Sequence, residues 1–277
     1  MPTRPDVVAR EAADHVHHHP LETLGRVGYA VKGGVYVLMG ILAVAAARGG
    51  GETDGQKGAL HELAGTPFGG VLLTIAAIGL AAYALWRVAL ALLDPEGEGS
   101  DGKGLATRAF YLLSAASYGT LAYTAVRVLQ GASESGGGTE SRTATLLSQP
   151  AGPWLVGLVG LGVVAYGGRE FYRAYTASFM DKLALSGEAA ARRSTVRHIG
   201  QAGLSARGVV YAIIGAFLVV AAWQSDPEEA KGLDEALSAL RDQSFGPVLL
   251  GLVALGLIAY GLYCWVNARY RRFEGAQ

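Results

Sequence analysis

The stretch Leu255–Tyr263 reads LGLIAYGLY. A run this apolar reads as a helix for lipid, yet it holds two glycines and two tyrosines. Near-copies stand upstream: IGLAAYALW from Ile78 and LGVVAYGGR from Leu161. Each carries a glycine, an alanine three residues on, and then a tyrosine: Gly79, Ala82, Tyr83; Gly162, Ala165, Tyr166; Gly256, Ala259, Tyr260. A further glycine lies ten residues before each set, at Gly69, Gly152 and Gly246. Spacing kept three times without a gap marks an internal repeat.

The rest of the composition agrees with lipid as the solvent. Of 277 residues, 51% are hydrophobic and 17% charged, against about a quarter charged in average chains. The charge is confined to short segments between long uncharged runs. The 40 glycines are too many for a soluble helical protein, but suit membrane helices, whose backbones approach through small residues. Six runs are predicted to span: Val27–Ala47, Phe68–Leu92, Arg108–Leu129, Pro153–Tyr175, Arg207–Trp223 and Phe245–Ala268. Residues 1–25 lack the apolar core and cleavage site of a signal peptide, so the first span reads as an uncleaved anchor.

Lysine and arginine predict the orientation, because cytoplasmic loops are enriched in them. The side holding the N-terminus, the second and fourth loops and the C-terminus carries 17 of the 23 basic residues. Both termini are therefore expected in the cytoplasm. The basic run ARRSTVRH at 191–198 reads as a positive-inside loop, with anionic lipid as the alternative ligand. The organisation expected is a polar tail 1–24, repeat one 25–93, repeat two 104–176, a basic linker 177–197, repeat three 198–270 and a tail 271–277.

The odd spans repeat too. GRVGYAVKGGVYVLMG from Gly25 parallels GQAGLSARGVVYAIIG from Gly200. Gly28, Lys32, Gly33, Tyr36 and Gly40 correspond to Gly203, Arg207, Gly208, Tyr211 and Gly215. In repeat two, Arg108, Tyr111 and Tyr118 match Arg26, Tyr29 and Tyr36, but Ser114 replaces the basic residue and Phe110 a glycine. Each unit is a helix pair joined outside by a polar loop. GALHELAG from Gly58 and GLDEALSAL from Gly232 read as short amphipathic turns along the outer interface. Two helices per unit give all three units one orientation, and parallel repeats are related by an axis along the membrane normal. The fold expected is an all-α integral membrane protein, with six transmembrane helices as three parallel pairs in a pseudo-threefold bundle.

The YAVKGGVY and SARGVVY elements of the odd spans and the Gly-x2-Ala-Tyr elements of the even ones resemble a bacterial family, domain of unknown function 1206. The resemblance runs from about Leu24 to Tyr270. It implies a helix pair present three times per chain in a multipass membrane protein. It implies no activity, substrate or catalytic residue.

One stripe of the last span joins Gly256, Tyr260, Tyr263 and Asn267, spaced four, three and four. Its counterparts are Gly79, Tyr83, Trp86 and Leu90, then Gly162, Tyr166, Arg169 and Arg173. The cytoplasmic half of the bundle is predicted to gather Tyr36, Tyr83, Tyr118, Tyr166, Tyr211 and Tyr260 with Lys32, Arg207 and Ser114. Packing is the preferred reading: glycine admits the neighbour and tyrosine bonds across the contact. The alternative is an anion-favouring vestibule for a small solute. Ion-coupled transport usually needs a buried acid in a span, and none is expected here, which disfavours a carboxylate-coupled transporter. Glu170 lies near the cytoplasmic end, where pairing with Arg173 is expected.

His15, His17, His18 and His19 precede Pro20, which is expected to end any helix there. Imidazoles four apart suit zinc, but no second ligand cluster follows. A solvated tail is preferred and no metal or cofactor is expected. GGGTES from Gly136 lacks the lysine and helix of a phosphate loop. Glu228 and Glu229 read as solvated charges. Cys264 sits in an apolar run and reads as a small core residue. No catalytic constellation is visible. The chain is expected to be a non-enzymatic structural or interaction component of a bacterial plasma membrane, or else a facilitator. Its partners would be the bilayer and another membrane protein, not nucleic acid.

Overall fold

The computed structural model describes residues 5–48, 56–95, 97–131, 139–230 and 232–272, with the side chains at 5–21, 56–58, 103, 139–142, 234 and 235 outside that description. Regular structure among the described residues is helical, apart from one isolated bridge between Leu183 and Arg271. The helices are α1 Pro5–Ala47, α2 Gln56–Ala64, α3 Gly69–Leu93, α4 Gly102–Leu129, α5 Thr139–Leu147, α6 Gly152–Thr176, the single turn α7 Glu188–Ala191, α8 Arg193–Gln224, α9 Leu233–Arg241 and α10 Gly246–Tyr270. Four of them are long and apolar enough to cross a membrane: α1 from Glu22, α3, α8 and α10. α4 and α6 match the other two predicted runs but carry more polar residues, including Arg108 and Arg127 in α4 and Arg169, Glu170 and Arg173 in α6.

Two expectations need correction. Pro20 does not end a helix, since α1 runs through it. Proline withdraws one N–H from the ladder, and the good helix formers Leu21 and Glu22 let the turn resume. The segments expected as short amphipathic turns are full helices, α2 and α9, with their leucines turned inward. Leu60 and Leu237 are buried in the core of the bundle. This explains the first glycine of each even-span motif. A Cβ on Gly69 would lie 2.5 Å from the carbonyl oxygens of Leu63 and Ala64, and Cβ atoms on Gly152 and Gly246 would strike those of Leu146 and Arg241. Each short helix, α2, α5 and α9, ends against the start of the long helix after it, where only glycine leaves room.

The long helices pack in a definite order. α3 lies on α4, α6 on α8, and α10 returns to α1; α1 also meets α3, and α8 meets α10. The contacts between successive units recur in register. Arg26 donates to the carbonyls of Ala268 and Arg269 at 2.8 Å, capping the last turn of α10. Arg108 does the same to Ala91 and Leu92 of α3, at 2.7 and 3.3 Å. Gln201 donates to Ala174 of α6 at 2.9 Å. Each satisfies carbonyls that a helix end leaves without partners. Deeper in, Gly33 faces the Gly261 carbonyl and Gly208 the Gly167 carbonyl, while Gly40 faces that of Ala254 and Gly215 that of Gly160.

Within a unit the match holds twice and then fails. Cβ atoms on Gly28 and Gly203 would each lie 2.5 Å from Tyr83 and Tyr260 respectively, and those on Gly79 and Gly256 would strike Val31 and Ala206. α4 and α6 make no such close approach, and Gly162 has nothing within 4 Å. The cause is Phe110, which stands where Gly28 and Gly203 stand in the other units. Its ring stacks on Tyr166, centroids 5.6 Å apart and planes inclined by 28°, and holds the two helices apart. Consequently α6 buries Val156, Gly160, Gly167, Glu170 and Ala174 rather than the stripe through Gly162 and Tyr166. In α3 and α10 the predicted stripes, Gly79 to Leu90 and Gly256 to Asn267, are buried throughout.

Candidate functional site

The six tyrosines meet as three edge-to-face pairs. Tyr83 of α3 faces Tyr118 of α4, Tyr166 of α6 faces Tyr211 of α8, and Tyr260 of α10 faces Tyr36 of α1. Centroid distances are 4.7, 5.0 and 4.7 Å, and interplanar angles 77°, 82° and 71°. This is the geometry the aromatic quadrupole favours, a positive edge on a negative face. Each pair joins an even helix to the odd helix of the next unit. The repeated tyrosines therefore cement unit to unit.

Two cations sit among these rings. Lys32 is 3% exposed, with its ammonium 4.7 Å from the centre of Tyr83, 4.8 Å from Tyr118, 5.4 Å from Tyr260 and 6.0 Å from Tyr36. It donates to the Tyr83 hydroxyl at 3.1 Å. Arg207 is 6% exposed and lies 4.3 Å from the centre of Tyr260, 5.1 Å from Tyr211 and 5.9 Å from Tyr36. Tyr36 and Tyr260 thus stand within cation–π reach of both. Ser114, at the corresponding place in repeat two, is half-buried and brings no charge.

A carboxylate completes the cluster. Glu170 is 0% exposed. Its Oε1 accepts from Arg173 at 2.9 Å, the pairing expected within one helix turn. Its Oε2 accepts from Arg207 Nη1 at 2.9 Å, and Arg207 Nη2 donates to the Tyr211 hydroxyl at 2.7 Å. The bond from α8 to α6 was not foreseeable from the sequence, because the partners lie 37 residues apart in different units. Arg87 was likewise missed. Its Nε and Nη2 donate to the Tyr83 hydroxyl at 3.1 and 2.8 Å, the oxygen that also receives Lys32. Position Arg87, one turn after the tyrosine of its motif, was the available signal.

Other predicted residues fall outside the cluster. Ala82 is buried, whereas Ala165 and Ala259 are not. Cys264 is fully buried beside it. The side chains of His15, His17, His18 and His19 lie outside the described residues. Among the described residues no group of three metal-ligating side chains forms.

A family model described as Domain of Unknown Function (DUF1206) matches the chain three times, at residues 27–94, 109–177 and 202–271. The chain is similar to "Uncharacterized protein YxxB" of Bacillus subtilis (strain 168), with 36% identity over 251 residues that cover 91% of each protein. No solved structure matches it.

Proposed function

We propose, for a chain that belongs to the DUF1206 family, a non-enzymatic structural or interaction role in the bacterial plasma membrane, performed by three parallel helix pairs around a pseudo-threefold axis. All six long helices cross the bilayer in this reading, with both termini in the cytoplasm. α4 and α6 have 28 and 25 residues. At 1.5 Å per residue they reach roughly 42 and 37 Å, more than the hydrocarbon thickness of about 30 Å. They also carry large exposed apolar residues along their length, among them Leu112, Leu113, Tyr123, Leu155, Leu158 and Leu161.

The observation that carries the reading is the recurrence of one contact between successive units: Arg26 on α10, Arg108 on α3 and Gln201 on α6. The three tyrosine pairs lie deeper along the same helix pairs. A passage for a solute needs those rings apart, lining water. Their edge-to-face packing supports the packing reading instead. Lys32 bonds Tyr83 from α1 to α3 and Arg207 bonds Glu170 from α8 to α6, cross-helix ties that suit a rigid membrane scaffold.

The test is photocrosslinking in living cells from outward positions of the bundle, Tyr123 on α4 and Tyr172 on α6, both exposed. A scaffold gives a discrete protein adduct from one of these sites, unchanged by a Tyr83→Phe, Tyr166→Phe, Tyr260→Phe triple variant. Adducts to lipid alone, together with solute flux in liposomes that the triple variant abolishes, would overturn the reading in favour of a facilitator.

A further inference from the structure

The buried charges of the bundle do not balance. Lys32 and Arg207 are buried, the half-buried Arg87 and Arg173 bring further cationic heads beside them, and among the described residues Glu170 is the carboxylate bonded to any of them. Glu170 is already shared between Arg173 and Arg207. Lys32 and Arg87 both converge on one neutral acceptor, the Tyr83 hydroxyl. An ammonium has three protons to donate, and a phenolic oxygen has two lone pairs for all three N–H groups aimed at it.

Donors are left over as well as charge. Arg207 Nε is buried and has no acceptor. The π faces of Tyr36 and Tyr260 attract both cations but offer no lone pair to an N–H. An unsatisfied N–H and an unbalanced cation are each costly away from water. One ligand relieves both deficits: an anion, which accepts charge-assisted hydrogen bonds. The Tyr36–Tyr260 and Tyr83–Tyr118 rings are in contact, centres 4.7 Å apart, so a ligand held among them between Lys32 and Arg207 must be small.

We infer that the Lys32–Arg207 cluster binds a small monovalent inorganic anion of halide size, held by Arg207 Nε and the spare protons of the Lys32 ammonium. The site is occluded among the rings and the ion is a structural ligand. The inference needs only the burial of these groups, so it stands apart from any protein partner of the chain.

The experiment uses the full chain in detergent, prepared in gluconate and titrated with chloride, bromide or sulfate at matched ionic strength. The expected result is a saturable rise of several degrees in unfolding temperature with chloride and bromide but not sulfate. Lys32→Met and Arg207→Met variants lose that rise, while Arg241→Gln in the short helix α9 keeps it. Crystals of the unaltered protein grown in bromide show an anomalous peak beside Arg207 Nε. That measurement decides the matter if the core variants fail to fold, and its absence overturns the site. A flat chloride titration of the unaltered protein also overturns it. So does a tyrosinate absorbance at neutral pH that is lost in Tyr83→Phe and indifferent to chloride, since Tyr83 would then supply the missing charge.

Discussion

Glu170→Gln isolates the energetics of the core with little change in shape. The carboxylate is fully buried and accepts one hydrogen bond from each of Arg207 and Arg173, both at 2.9 Å. The amide keeps one acceptor and loses the charge, leaving Arg207 in the interior with a hydroxyl and three rings. Breaking a buried ion pair from one side costs about 3–5 kcal/mol. The retained acceptor places this variant near the lower end, at about 3 kcal/mol. Arg173 is 24% exposed, so its share is screened and small. For a chain of this size, about 3 kcal/mol lowers the unfolding temperature by roughly 6–12 °C.

The matching double variant Glu170→Met, Arg207→Met removes both charges and keeps apolar volume. Such replacements are often neutral or stabilising by about 1–4 kcal/mol. It is therefore predicted to be more stable than either single variant, with a coupling of at least about 2 kcal/mol. Thermal unfolding in detergent, followed by tryptophan fluorescence, reads the parent, Glu170→Gln, the singles Glu170→Met and Arg207→Met, and the double variant. Unfolding of Glu170→Gln within a degree of the parent, or a double variant no more stable than its singles, would show that the buried pair does not carry this energy.

Further outcomes follow from the packing. Gly203→Ala places a Cβ 2.5 Å from the Tyr260 backbone, which cannot give way as a side chain can; it is expected to destabilise by about 1–3 kcal/mol, whereas Gly34→Ala and Gly168→Ala, with nothing within 4 Å, are neutral or gain up to about 1 kcal/mol. Size-exclusion profiles and melting temperatures separate the two groups. Arg108→Ala removes the cap on α3 at a cost of about 1 kcal/mol, and hydrogen exchange is expected to quicken at the α3 C-terminus and not at those of α6 and α10. Gln201→Ala is expected to shift the same signal to the end of α6. Phe110→Gly removes the wedge between α4 and α6, and a spin-label pair on those helices is expected to report a shorter distance than in the parent; an unchanged distance would show that Phe110 does not set the spacing.

Much of this fold is written in the even-span motif. A glycine, an alanine and a tyrosine at fixed spacing sufficed to find the repeat, and the tyrosine of each copy makes the same edge-to-face pair with the next unit. The burial of Tyr83 and Tyr260 and the convergence of Lys32 and Arg207 on the tyrosines were legible for the same reason. Phe110 was visible as a departure, and the structure supplies its consequence. What was not legible depends on pairing between units. Arg207 meets Glu170 through the approach of α8 to α6, and no local pattern encodes that. Gln201 takes the place of an arginine and so hid the third copy of the helix cap. α5 escaped notice because TESRTATLL is polar and lacks the leucine spacing of α2 and α9. Pro20 misled because a helix boundary before proline is a tendency that good flanking helix formers can override.

In the proposed reading three helix pairs, six spans in all, thread the membrane. The loop between α5 and α6 decides it. Gln149 is exposed there, and Ser186 is exposed in the segment before α8. If only the four most apolar helices crossed, both residues would lie in the cytoplasm; if six cross, Gln149 lies outside. In a Cys264→Ala background, single Gln149→Cys and Ser186→Cys proteins are labelled in intact spheroplasts with a membrane-impermeant maleimide. Six spans predict prompt labelling at 149 and labelling at 186 only after lysis. Protection of both positions until lysis would contradict that reading.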